Sequence, residues 1–127
     1  MELQKKVFII EDEDVIARQM EEAFTAANLS VSLFSNGEKG LETALKEHPD
    51  AIILDILLPN TNGLKLLDKL RQDTWGATTP VILFTNLSPD DSVVKEVLDK
   101  KPSFYLLKAN TSVEELLQKV KETLHIT

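Results

Sequence analysis

Ala51–Gly63, AIILDILLPNTNG, is the stretch whose reading decides how this chain folds. Small or branched apolar residues lead into Asp55. Ile56, Leu57, Leu58 and Pro59 follow, and Asn60-Thr61-Asn62-Gly63 supplies turn chemistry. An apolar run of this length, closed by turn residues, is the pattern of a strand covered on both faces, as in parallel sheets. Ligands of open α/β sheets gather at the carboxyl ends of such strands, and Asp55 stands at that end. Pro59 and Gly63 leave a short loop before a helix that the pattern starts at Leu64. Taken alone, Asp55 reads equally as a solvated capping carboxylate. The other strand ends decide.

Upstream, Pro49-Asp50 stops a helix lined by Leu41, Ala44, Leu45 and His48, which Ser35-Asn36-Gly37 introduces as a turn or cap. Before it, Val31–Phe34 alternates weakly as a strand. The first strand is Val7–Ile10, running into Glu11-Asp12-Glu13-Asp14, and a helix begins near Val15. Val15, Ile16, Met20, Ala23, Phe24 and Ala27 form its apolar face, Asn28 stops it, and Glu13 and Asp14 suit the positive end of its dipole. Downstream, Leu64, Leu67 and Leu70 face inward on the helix after Asp55. A loop with Trp75-Gly76-Ala77 follows, and Pro80 opens the strand Val81–Phe84, which ends at Thr85-Asn86. Ser88-Pro89 reads as a cap and first turn for a helix whose core face is Val93, Val94, Val97 and Leu98. Lys101-Pro102 ends that helix. Phe104–Leu107 is the fifth strand, closing on Lys108. Thr111 with Glu114 reads as a capping box for a last helix carrying Val113, Leu116, Leu117, Val120 and Leu124.

Strand and helix thus alternate five times, which implies right-handed crossovers and a parallel sheet covered on both faces. The expected fold is a flavodoxin-like (βα)5 α/β unit with strand order 2-1-3-4-5, occupying residues 1–127 as one domain without an effector domain. At 127 residues, 43% hydrophobic and 28% charged, the chain has the make-up of one globular domain. It contains no cysteine, which excludes disulfides and thiolate metal sites and suits a cytoplasmic location. The four-residue apolar run near the amino end is too short for a signal or membrane segment. Fourteen basic against 21 acidic residues leave a net charge of −7, which argues against direct nucleic-acid binding and against an anionic membrane surface.

In that fold the ends of strands one, three, four and five converge, bringing together Glu11 and Asp12, Asp55, Thr85, and Lys108. Like charges about 4 Å apart repel by roughly 4 kcal/mol at an effective dielectric of 20. Either the carboxyl pKa values shift upward or a cation compensates; a hard divalent ion such as Mg²⁺ (or Mn²⁺) prefers to be held by carboxylates, a backbone carbonyl and waters. Lys108 and Thr85 then offer an ammonium and a hydroxyl to an anion beside it. This is the donor set of a phosphoryl site.

With VFIIEDED, AIILDILLPNTNG, VILFTN and FYLLKA in order at these spacings, the chain resembles a response-regulator receiver domain of two-component signalling over essentially its whole length. The resemblance makes Asp55 the phosphoacceptor. It makes Asp12 and Asp55 direct Mg²⁺ ligands together with the Leu57 carbonyl, and Glu11 a ligand through water. Thr85 and Lys108 would bind the phosphoryl oxygens, and Thr85 with Tyr105 would form a switch biasing the surface of the fourth helix, fifth strand and fifth helix. Its implied partners are a histidine kinase or phosphotransfer protein and a downstream effector protein or output domain; a homodimer is compatible with it. The implied role is a signalling domain and not a turnover enzyme.

The sequence departs from the family pattern at two places. Ala109 follows the lysine where proline is usual, and a non-proline cis bond costs roughly 2.5–4 kcal/mol, so Lys108–Ala109 is expected trans. Asn86 replaces a small residue after Thr85 and crowds the path of Tyr105. Leu57 and Leu87 occupy positions that tune loss of the phosphoryl group; neither can orient a water, which predicts a long-lived phosphorylated state. His48 and His125 lack metal-ligand spacing and read as surface residues, and Trp75 and Phe104 read as packing residues.

Three rival functions remain. A phosphatase of the haloacid-dehalogenase type needs a second Asp two residues after the first, where this chain has Leu57. A flavin or nucleotide domain needs a glycine-rich phosphate loop, and neither GxxxxGK nor GxGxxG occurs. A pseudo-receiver acting as an interaction module without phosphorylation is the third, raised by Asn86 and Ala109.

Overall fold

The apolar runs of the sequence become the three central strands of one parallel sheet in the computed structural model, which describes residues 4–127. The strands are β1 (Lys6–Ile10), β2 (Ser30–Phe34), β3 (Ala51–Leu54), β4 (Val81–Thr85) and β5 (Phe104–Leu107). Their order across the sheet is β2-β1-β3-β4-β5, the expected flavodoxin-like arrangement. β3 and β4 are buried at every residue and β1 at all but Lys6, whereas the edge strands β2 and β5 are half-buried throughout. The serines of β2 suit that edge position.

Period-two alternation divides the central strands between two cores. Phe8, Ile10, Ile52, Leu54, Val81 and Leu83 face α2 (Gly37–Glu47), α3 (Gly63–Gln72) and α4 (Asp91–Lys100). Val7, Ile9, Ala51, Ile53, Ile82 and Phe84 face α1 (Asp14–Ala26) and α5 (Val113–Leu124). Met20 and Phe24 fill the second core from α1, and Leu116, Val120 and Leu124 from α5.

Five helix details differ from the sequence expectation. On α1 the inner residues are Ala17, Met20 and Phe24, and Val15 is 73% exposed. Two residues span about 200° of helix, so Val15 lies opposite Ala17. On α4 only Val97 is buried; Val94 and Leu98, one step round from the Val93/Val97 row, face solvent. Its cap is Asp90, not Ser88: the Asp90 carboxylate accepts the Val93 N–H at 2.9 Å and the Ser92 hydroxyl at 2.8 Å, and a charged acceptor suits a helix N-terminus best. The capping box of α5 is Ser112 with Glu115. A 3₁₀ turn over Lys108–Asn110 leaves Thr111 extended and moves the cap one residue on. His48 lines no face of α2; it is the left-handed, exposed residue that ends it.

Asn28 takes the left-handed conformation that stops α1, with φ 66°. Asn62 caps α3 by accepting the Leu64 N–H at 2.7 Å. No peptide bond among the described residues is cis, so Lys108–Ala109 is trans as expected. Among the described residues no helix is long and apolar enough to cross a membrane.

Candidate functional site

Strand register alone brings the polar ends together. Ile10 pairs with Leu54 and Leu54 with Leu83, so Glu11 and Asp55 leave neighbouring strands at the same level. Asp55 continues the ladder by donating its N–H to the Ile10 carbonyl at 3.1 Å. Thr85 pairs with Leu107, which puts Lys108 one step beyond the end of β4.

Asp55 is only 3% exposed, and both its carboxylate oxygens are held. Oδ1 accepts the Leu57 N–H at 3.0 Å and Oδ2 accepts from Lys108 Nζ at 2.8 Å. The loop that returns from Asp55 to α3 passes so close that a Cβ on Gly63 would overlap the Asp55 carbonyl. Here the glycine is required by close approach. The Gly63 N–H donates to the Ile56 carbonyl at 2.8 Å and closes the loop.

Lys108 Nζ also lies 2.7 Å from Glu11 Oε1. The other Glu11 oxygen accepts the Glu13 N–H at 3.1 Å. Carboxylate oxygens of Glu11, Asp12 and Asp55 all lie within 4.8 Å of one another, Asp12 being the most open of the three. Burial pushes the Glu11 carboxyl above its usual range and the Asp55 charge adds to this, against the pull of Lys108 and the Glu13 N–H. For Lys108, burial alone would lower the ammonium, but the hydrogen bonds and charges of Asp55 and Glu11 outweigh it and hold it above its ordinary value. Two buried acids therefore share one ammonium, and Asp12 adds a third negative charge at the rim. Hard oxygen donors, close spacing and surplus negative charge fit a divalent cation of the Mg²⁺ type.

The Thr85 side chain is fully buried, and its Oγ accepts the Leu87 N–H at 3.3 Å. The Tyr105 hydroxyl donates to the Leu87 carbonyl at 2.6 Å. Burial raises the Tyr105 phenol, and the charges of Asp55 and Asp90 raise it further. The structure thus joins Glu11, Asp12, Asp55 and Lys108 in one cluster and links Thr85 to Tyr105 through Leu87. Leu57 itself is half exposed beside Asp55. His48 and His125 end separate helices, and His48 stacks on Trp75 with ring centroids 4.3 Å apart. Glu13, read in the sequence as a helix-starting acid, has its carboxylate 3.6 Å from Lys108. The one signal available was that glutamate is a poor N-cap.

The family model described as response regulator receiver domain matches residues 7–121. The chain belongs to that family. The receiver is 37% identical over 118 residues to response regulator ArlR of Staphylococcus epidermidis, covering 93% of this chain and 52% of that protein. Response regulator ArlR of Staphylococcus aureus is 36% identical over 119 residues, with 94% and 52% covered. The receiver therefore spans about half the length of the curated relatives it matches. Among solved structures, a response regulator from Chloroflexus aurantiacus superposes with TM-score 0.85 at 29% identity, covering 97% of this chain and 99% of that one. A CheY-like receiver domain protein from Methanospirillum hungatei superposes with TM-score 0.88 at 22% identity, over 97% and 95%. The resemblance read from the four strand-end motifs is borne out, and with it the signalling class of the domain.

Proposed function

We propose that this receiver accepts a phosphoryl group on Asp55 from the phosphohistidine of a histidine kinase or phosphotransfer protein, and that the modification biases the α4–β5–α5 surface for an effector. The observation that supports it most directly is the buried Asp55 carboxylate, bonded to Lys108 and within reach of Glu11 and Asp12 at the carboxyl ends of parallel strands. In this reading an Asp55 oxygen attacks phosphorus and forms the acyl phosphate. The phosphorus–nitrogen bond breaks, and the departing imidazole keeps that electron pair and takes a proton from solvent. Lys108 moves from the carboxylates onto the transferring oxygens, and the Leu57 N–H holds Asp55 in line. Glu11, Asp12, Asp55 and the Leu57 carbonyl would hold Mg²⁺ or Mn²⁺, with Glu11 acting through water. When bound, the ion supplies charge neutralisation for the transferring group.

Thr85 would then bond a phosphoryl oxygen with its hydroxyl, which the Leu87 N–H leaves free to donate. That movement reaches Tyr105 through Leu87, and couplings of about 1–3 kcal/mol suffice for such a switch. Apolar Leu57 and Leu87 support a slow loss of the phosphoryl group.

Intact mass after incubation with Mg²⁺ and a small acyl-phosphate donor tests the reading, with Asp55→Asn alongside. One phosphoryl group gained by the parent alone is expected. No gain either from the small donor or from a phosphorylated histidine phosphotransfer domain would sink the phosphoacceptor role and leave the pseudo-receiver module. Faster decay on introducing Leu87→Glu is the expected result for the lifetime; unchanged decay would count against the role given to the leucines.

A further inference from the structure

Glu13 stands at the N-cap of α1 and does not cap it. Short acceptors are preferred at that position because their oxygen reaches an N–H two or three residues on. The Glu13 carboxylate turns away from the helix towards Lys108, while its own N–H holds Glu11 Oε2. One residue thus touches both members of the Glu11–Lys108 pair, one through its main chain and the other through its side chain.

Lys108 has three charged partners among the described residues: Glu11 at 2.7 Å, Asp55 at 2.8 Å and Glu13 at 3.6 Å. The first two belong to the acid cluster with Asp12, and the third does not. A divalent cation held by the cluster would compete with the ammonium for the same oxygens and repel it. Glu13 is then the nearest carboxylate left for Lys108. Its side chain is 55% exposed, so it can take the ammonium without burying a further charge.

Resting on the function proposed above, we propose that Glu13 is a positioning residue for Lys108, holding the ammonium at the mouth of the acidic pocket when Glu11 and Asp55 turn to a divalent cation. There Lys108 stays within reach of an incoming phosphoryl group. Without Glu13 the ammonium falls back on Glu11 and Asp55 and opposes the cation.

The test is calorimetric titration of the whole chain with MgCl₂ alone, on the parent, Glu13→Gln and Glu13→Asp, each with and without Lys108→Met, together with thermal melting. Both Glu13 variants are expected to bind Mg²⁺ about two- to fivefold more weakly, the range of a partly exposed ion pair. That loss should vanish once Lys108 is gone. Glu13→Asp should melt no lower than the parent, because the shorter acid is the better cap, so affinity and stability part company. An equal loss with and without Lys108 would overturn the proposal in favour of a simple field effect. Parental affinity in Glu13→Asp would also overturn it, since charge alone would then suffice, and this comparison stands even if Lys108→Met does not fold. A parent that takes up no Mg²⁺ overturns this inference and the metal reading together, whereas the Asp55 mass test stands or falls separately.

Discussion

Lys108 carries one positive charge among three carboxylates, two of them out of water, and its removal has a definite sign. Breaking a buried pair from one side leaves the other side's charge uncompensated, at a cost of about 3–5 kcal/mol. Lys108→Met should lose about that much stability in chelator, measured by urea unfolding, and recover most of it in saturating Mg²⁺. Asp90 gives a second residue-scale prediction. The Val93 N–H, then the Ser92 hydroxyl, holds its carboxyl below the usual aspartate range. A depressed acid contributes stability above its unfolded value, about 3.9, and loses it as pH falls through the lower folded value. Carboxyl NMR titration should find Asp90 below that ordinary value, and Ser92→Ala should move it upward. Glu11, Asp12, Asp55, Thr85 and Lys108 were legible in the sequence because each is a polar residue ending an apolar strand. Glu13 was not, because an acid at the start of a helix already has a sufficient explanation in the helix dipole. Leu87 was read for its side chain, whereas the structure uses its N–H and carbonyl, which no residue code records.

The helix α4 is held by few apolar contacts, with Val97 its one buried residue, so polar contacts at its two ends matter more than usual. Its C-terminal end is fastened by Arg71 of α3. That guanidinium donates to the carbonyls of Lys100, the last residue of α4, and Lys101, which caps it, at 2.8 and 3.1 Å, and to the Gly76 and Thr79 carbonyls of the α3–β4 link at 2.8 and 2.6 Å. Burial lowers its affinity for its proton. Arg71→Ala should cost about 2–3 kcal/mol, the worth of charge-assisted bonds left unmade. Arg71→Lys should recover less than half, since an ammonium cannot fork between carbonyls as a planar guanidinium does; hydrogen exchange at the C-terminal end of α4 would localise the effect. The sequence placed every helix within a few residues. It missed the caps of α4 and α5 because Ser88, Asp90, Thr111 and Ser112 all carry acceptors of the right kind. Tertiary position chose among them. It also put Val94 and Leu98 in the core, since apolar residues at 93, 94, 97 and 98 fit a wide stripe that this thinly covered helix does not bury.

Across the whole molecule, two cores share the central strands of one sheet, so disturbance of one face should unfold the other with it. Phe24→Ala empties a fully buried site between α1 and the sheet and should cost about 3–5 kcal/mol. Trp75, the one tryptophan, packs on the opposite face. Its fluorescence and the far-ultraviolet circular dichroism should report a single coincident transition in that variant; separate midpoints would mean that the faces melt apart. Strand order was readable at this scale because five alternations and right-handed crossovers leave few topologies. The bonds between Thr85, Leu87 and Tyr105 lead to one more consequence. Both side chains terminate on main-chain atoms of the same residue, so the relay between them is indifferent to which side chain residue 87 bears. The loop after β4 is therefore free to vary in chemistry, as at Asn86 and Leu87, and under the proposed function such variation would alter timing at Asp55 without severing the link from Thr85 to Tyr105.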